Sequence, residues 1–220
     1  MSVQAARGLF ITVEGGEGVG KSTNIDYLRQ RLQASGVDLE ITREPGGTRL
    51  SEQVRELLVA RREEGMDPMA ELLLVFAARA QHISERIEPA LRAGRWVLCD
   101  RFTDATYAYQ AGGRGLDPTW VRILEQLVQG ELRPDLTLLL DAPVELGLER
   151  ARERGDLDRF EQEQLEFFER VRSTYLRLVQ ESSGRIRVID AGRPLAAVRE
   201  QLDALCNELL LCHGGRRAWN

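Results

Sequence analysis

Gly15-Gly16-Glu17-Gly18-Val19-Gly20-Lys21-Ser22 fits G-x-x-x-x-G-K-[ST] at every fixed position, and its flanks decide the fold. Before it, Leu9-Phe10-Ile11-Thr12-Val13-Glu14 is apolar and β-branched, as a buried parallel strand is. After it, Lys21 to Ala34 is rich in helix formers. Strand, glycine loop and helix in that order make a P-loop. Its glycines let backbone N–H groups turn inward around an anion, and the helix N-terminus adds partial positive charge. Lys21 reaches the outer phosphates and Ser22 can hold Mg²⁺, so the phosphate-holding set runs from Gly15 to Ser22 and on to Thr23. The chain has a single lysine, Lys21, among thirty Lys plus Arg, so a sequence that otherwise writes Arg has a compact ammonium where a phosphate cradle needs one.

The 220 residues suffice for one core, and 43% hydrophobic with 30% charged residues is ordinary for a soluble globular domain. A single domain over 1–220 is expected, with residues 213–220 as a frayed tail. The net charge of −5 argues against broad nucleic-acid binding and leaves anionic ligands to local arginine clusters. Cys99, Cys206 and Cys212 are odd in number and widely spaced, which suits a reducing compartment, and Cys99 reads as core. No apolar run is long enough for a membrane span and residues 1–8 lack a signal-peptide core, so the cytoplasm is expected. His82 and His213 are too far apart for a metal cluster and read as solvated or capping residues.

Further strands are expected at Val37 to Thr42, Arg95 to Cys99, Leu136 to Leu140 and Ile186 to Asp190, alternating with helices. Five short apolar strands of this kind mean a five-stranded parallel sheet covered on both faces, an α/β fold with ligand sites at the strands' carboxyl ends. The second strand runs into Arg43-Glu44-Pro45-Gly46-Gly47-Thr48, a stiff turn that presents Arg43 as a ligand candidate. Asp67-Pro68 starts a long helix to about Ala93, on which Leu72, Phe76, Arg79 and Ile83 share a face. There Phe76 and Arg79 could converge on one planar group, or Phe76 could be plain core. Asp100 closes the third strand as a candidate Mg²⁺ ligand, with Arg101 beside it for a second phosphate. Thr106, Tyr109 and Gln110 lie on a short helix, followed by a flexible loop Gly112-Gly113-Arg114-Gly115. Arg150, Arg152, Arg154 and Arg159 fall in an alternating charged run, either a solvated face or a mobile lid over about 149–160.

These features together resemble the bacterial thymidylate kinases, of the type with lid arginines and no P-loop arginine. The resemblance rests on Glu17 in the P-loop, Thr42 to Thr48, Phe76-Ala77-Ala78-Arg79, Asp100-Arg101-Phe102, Thr106 to Gln110 and the arginine-rich run, and spans residues 9 to about 192. It implies a P-loop nucleoside monophosphate kinase fold with a short arginine-rich lid, and transfer of the ATP γ-phosphate to dTMP. Lys21 and the loop from Gly15 to Thr23 would hold ATP, and Ser22 and Asp100 the Mg²⁺. Lys21, Arg101 and the lid arginines would be catalytic. Phe76 would stack on thymine, Arg79 bond its O4, and Thr106 and Gln110 its N3 side. Arg43, Pro45 and Arg101 would border the monophosphate, Tyr109 would lie beneath the deoxyribose, and Glu17 would accept from the 3′-hydroxyl. Similar enzymes are homodimers. A kinase for another nucleoside monophosphate is the alternative; a guanine-nucleotide switch lacks its Asn-Lys-x-Asp signature, which a chain with Lys21 as sole lysine cannot contain.

Overall fold

A computed structural model describes residues 7–60, 65–154, 159–160 and 163–214. Among the described residues one parallel sheet has the strand order β2-β3-β1-β4-β5, with β1 Phe10–Glu14, β2 Leu39–Arg43, β3 Trp96–Asp100, β4 Leu136–Asp141 and β5 Ile186–Asp190. The second strand starts and ends later than the Val37 to Thr42 expected. β1 lies at the centre, paired with β3 (Thr12 opposite Cys99) and β4 (Thr12 opposite Thr137). Alternation along β1 serves both faces. Ile11 and Val13 join Leu28, Leu32, Leu202 and Cys206 beneath α1 (Lys21–Ala34) and α9 (Leu195–Gly214). On the opposite face Phe10 packs with Cys99, Phe102, Ile83, Ile87 and Leu91. Cys99 is core, as expected. β4 follows the same rule, with Leu139 turned to Phe167, Phe168, Val171 and Tyr175 of α8 (Leu165–Glu181).

α2 (Arg49–Val59) is capped by Thr48, whose side chain accepts from Ser51 N. α3 (Pro68–His82) starts as expected, Asp67 accepting from Met69 N and Ala70 N. The helix then widens to a π turn at Ile83–Ile87 before α4 (Glu88–Arg92), next to Pro89, which has no N–H to offer an α-helical ladder. After β3, α5 (Thr103–Thr106) passes into a second π turn, Tyr107–Gly113. The flexible loop expected at Gly112-Gly113 is therefore helical. Its glycines serve close packing on α8: a Cβ on Gly113 would lie 2.4 Å from the Phe167 ring, and one on Gly112 2.2 Å from Thr174 Oγ1. α6 (Pro118–Gln129) and α7 (Val144–Arg154) complete the set. His213 lies within α9, so the expected frayed tail is not seen at 213–214; its remainder, like lid positions 155–158, lies outside the described residues.

Candidate active site

The strands' carboxyl ends open on a cavity of about 540 Å³ whose walls include Glu17 to Thr23, Glu44, Pro45, Arg79, Asp100, Arg101, Thr106, Tyr109 and Gln110. Segments far apart in sequence thus meet in one place.

The P-loop forms one wall. Gly18 has φ +65°, and a Cβ there would lie 1.8 Å from the Gly147 carbonyl of α7, so the loop and that helix touch backbone to backbone. Lys21 Nζ donates to the carbonyls of Gly16 (2.7 Å) and Gly15 (3.2 Å). Burial, aided by Arg101, lowers the Lys21 pKa against the pull of Glu17, Asp100 and Glu14. Ser22 and Thr23 are exposed on the wall. Across from them Asp100 Oδ1 is buried with no hydrogen-bond partner among the described residues. An unpaired carboxylate oxygen in this position fits a cation-binding role.

Glu17 turns away from the loop's amides. Its Oε1 accepts from Arg101 Nη2 (2.7 Å) and from Tyr109 Oη (2.7 Å). The Arg101 guanidinium lies 4.5 Å above the Tyr109 ring. Arg101 is held at φ +67°, an uncommon left-handed conformation for a long side chain, while its N–H donates to Val13 O at 2.9 Å. Burial disfavours its charge, yet Tyr109 and Glu17 raise its pKa further. Burial, with Glu17 beside it, pushes the Tyr109 phenol well up, so this hydroxyl stays a donor.

At the far end Arg79 is only 1% exposed. Its Nε donates to Glu44 Oε2 (2.7 Å) and its Nη2 to Thr106 Oγ1 (2.9 Å). Behind it runs a buried chain, His82 Nδ1 at 2.9 Å from Glu44 Oε1 and His82 Nε2 at 2.6 Å from Thr42 Oγ1. His82 is therefore neither the solvated nor the capping residue expected; it is fully buried and links Glu44 to Thr42. Burial pushes Glu44 upward, but Arg79 and His82 more than offset it and hold the carboxyl below its usual value. Phe76 and Arg79 do share a face, but the Phe76 ring is not on the cavity wall. It packs with Leu72, Ala111 and Val121, under the Arg79 guanidinium at 4.7 Å. Phe102, which the sequence reading passed over as a ligand, lines the cavity and lies 4.9 Å from the same guanidinium.

A family model described as thymidylate kinase matches residues 13–202. The chain belongs to the thymidylate kinase family. It is 62% identical over 203 residues to a thymidylate kinase of Pseudomonas syringae pv. tomato, covering 92% of this chain and 97% of the relative. It is 60% identical over 208 residues to that of Pseudomonas entomophila, covering 94% and 99%. The crystal structure of thymidylate kinase from Ehrlichia chaffeensis superposes with a TM-score of 0.71 at 33% identity, covering 90% of this chain and 98% of that one.

For this thymidylate kinase family member, the geometry differs from two further expectations. Arg43 points outward and pairs with Glu52 Oε2 at 2.9 Å; the cavity wall carries Arg55 instead, its Nη1 donating to Pro45 O at 3.0 Å. Nothing local marked Arg55, an arginine in the middle of an amphipathic helix. The lid arginines whose side chains are described do not gather in one place. Arg150 Nη1 donates to Ala191 O (2.9 Å) beside the β5 end, and Arg152 is exposed on α7. Arg154 ends α7. Arg159 docks at the opposite end of the cavity, donating from Nε to Leu58 O (2.8 Å) and from Nη2 to Glu71 Oε2 (2.5 Å), where it closes the open carbonyls of α2. Asp141, at its strand end, is paired with Arg172 at 2.8 and 2.9 Å.

Proposed function

We propose that Lys21, Arg101 and a lid arginine carry transfer of the γ-phosphate from ATP to dTMP, with Mg²⁺ held by Ser22 and Asp100. The reaction is that of the thymidylate kinase family, giving dTDP. One observation supports the site assignment above the others: a P-loop and a fully buried arginine with polar neighbours face each other across one cavity.

On the donor side the loop amides from Gly15 to Thr23 and Lys21 receive the ATP phosphates. Bound Mg²⁺ would draw charge from the phosphates as the bond to the leaving oxygen weakens. Asp100 and Ser22 are two protein ligands, the number magnesium commonly takes when phosphates and water complete its shell. On the acceptor side Arg101 and Arg55, with Pro45 at the turn, surround the monophosphate, while Arg43 stays outside the wall on Glu52. Tyr109 and Glu17 hold Arg101 and border the sugar, Glu17 accepting from a 3′-hydroxyl. Thymine lies between Arg79, Thr106 and Gln110, where Arg79 donates to O4 and Gln110 meets N3. Phe76 acts from beneath Arg79, by stacking on it and setting its plane. The acceptor is already an anion, so alignment and charge neutralisation carry the rate and no strong base is needed.

The free thiols Cys99, Cys206 and Cys212 support a cytoplasmic setting, and among the described residues no helix is long and apolar enough to cross a membrane. Residues 1–220 act as a single kinase domain, and the protein works as a homodimer. Support for the dimer is the outer face of α6, where Trp120, Ile123 and Leu127 are exposed at helical spacing. A coupled assay with dTMP, dUMP, dCMP, AMP and GMP as acceptors tests the function. Preference for dTMP is expected; activity with a purine monophosphate alone overturns it.

A further inference from the structure

Gln110 can read a base only if its amide is held one way round, because donor and acceptor ends have nearly the same shape. In this fold the orientation is set from behind. Glu71, fully buried on α3, accepts from Gln110 Nε2 on its Oε1 at 2.9 Å. Arg114 Nε donates to both Glu71 oxygens (3.2 and 3.3 Å), and Arg159 donates to Oε2 at 2.5 Å. A carboxylate offers acceptors only, so the amide end it faces must be NH₂. The Gln110 carbonyl is left for the cavity that Gln110 lines, with Arg79 on the same wall.

We propose that Glu71 is the positioning residue for base choice: it fixes Gln110 with its carbonyl outward, so the edge presents an acceptor from Gln110 beside a donor from Arg79. This rests on the base lying between those two side chains, as proposed above. Thymine and uracil carry an N3–H donor and an O4 acceptor and match that edge. Cytosine carries an N3 acceptor and a 4-amino donor, so it sets acceptor against acceptor and donor against donor. A site built to pair with a substrate's polar groups rejects an analogue that reverses them, because buried groups on both sides lose their partners. The same carboxylate ties Arg159, and with it the segment at 159–160, to the base-reading edge.

Glu71→Gln tests the inference. A neutral amide at 71 can itself donate, which allows Gln110 to turn over and show NH₂ to the cavity. Steady-state rates with dTMP and with dCMP are expected to show the dTMP-to-dCMP ratio of kcat/KM falling about tenfold or more, the loss on dTMP carried by KM. Glu71→Asp keeps the charge beside Arg114 and Arg159 but withdraws the acceptor by one methylene; the ratio should move the same way, and this variant decides if Glu71→Gln does not fold. A ratio unchanged in the folded variants, whatever their thermal stability, overturns the inference. Gln110→Ala separates the two readings. A raised KM for dTMP in Gln110→Ala with an unchanged ratio in the Glu71 variants refutes the role of Glu71 alone, whereas an unchanged KM in Gln110→Ala refutes the placement of the base.

Discussion

Glu14 closes β1 beneath the P-loop, its carboxyl fully buried and accepting from Phe102 N (2.7 Å) and Tyr175 Oη (2.8 Å). Burial first, then Asp104, pushes its pKa up to about 8, while Arg101, Tyr175 and Phe102 pull the other way and Lys21 lies within reach. An ordinary glutamate ionises near 4.5. Between those two values the folded protein keeps a proton that the unfolded chain has released. Stability from this group is full below the lower value and is lost as pH rises through the upper one, by at most about 1.4 kcal/mol per pH unit. Glu14→Gln removes the titration, so urea unfolding from about pH 5 to about pH 8 is expected to show a flatter curve than wild type. Parallel curves would sink this account. Phe76→Ala is expected to cost about 3–5 kcal/mol of stability and to raise the KM for dTMP, because Arg79 loses the ring beneath it; thermal unfolding and kinetics check both. Sequence made Lys21, Asp100 and Arg101 legible because each belongs to a short local pattern. Phe102, Arg55 and Glu71 were missed because what marks them is a neighbour distant in the chain. Only Glu71 left a trace, an acid with Val75 and Ala78 at i+4 and i+7, on the buried side of its helix.

At the scale of elements, the fold was legible wherever a cap or periodicity was strong. Asp67-Pro68, Asp117-Pro118 and the five strands fall within a few residues of their expected bounds. The two π turns were not legible, since no local residue pattern writes a widened turn; the second follows from Gly112 and Gly113 seating on α8. The arginine-rich run reads as either a solvated face or a lid, and its two placed ends lie apart. Arg150 lies by the β5 end and Arg159 against α2 and α3, so these two arginines do not share one position. Arg150→Ala, Arg152→Ala, Arg154→Ala and Arg159→Ala compared in one assay are expected to yield one variant with kcat reduced by about 10³ and the KM for ATP little altered. Equal, small losses at all four would remove these arginines from the chemistry.

Taken as a whole, the molecule puts β1 between two halves, with β3 and β2 leading to Arg101 and Pro45 and β4 leading on to α7. Association is expected to use the outer face of α6. Leu127, 78% exposed on α6, is the sharpest probe. Leu127→Arg is expected to convert a dimer to monomer in light scattering, and a wild type already monomeric would refute the dimer. The close backbone approach of Gly18 to Gly147 leaves no room for a side chain between the phosphate cradle and α7. Beyond that contact the helix extends to Arg154, an arm of about 10 Å. Any side chain at 18 or 147 would have to part the cradle from that arm, so two glycines far apart in the sequence set how near α7 can come to the phosphate site.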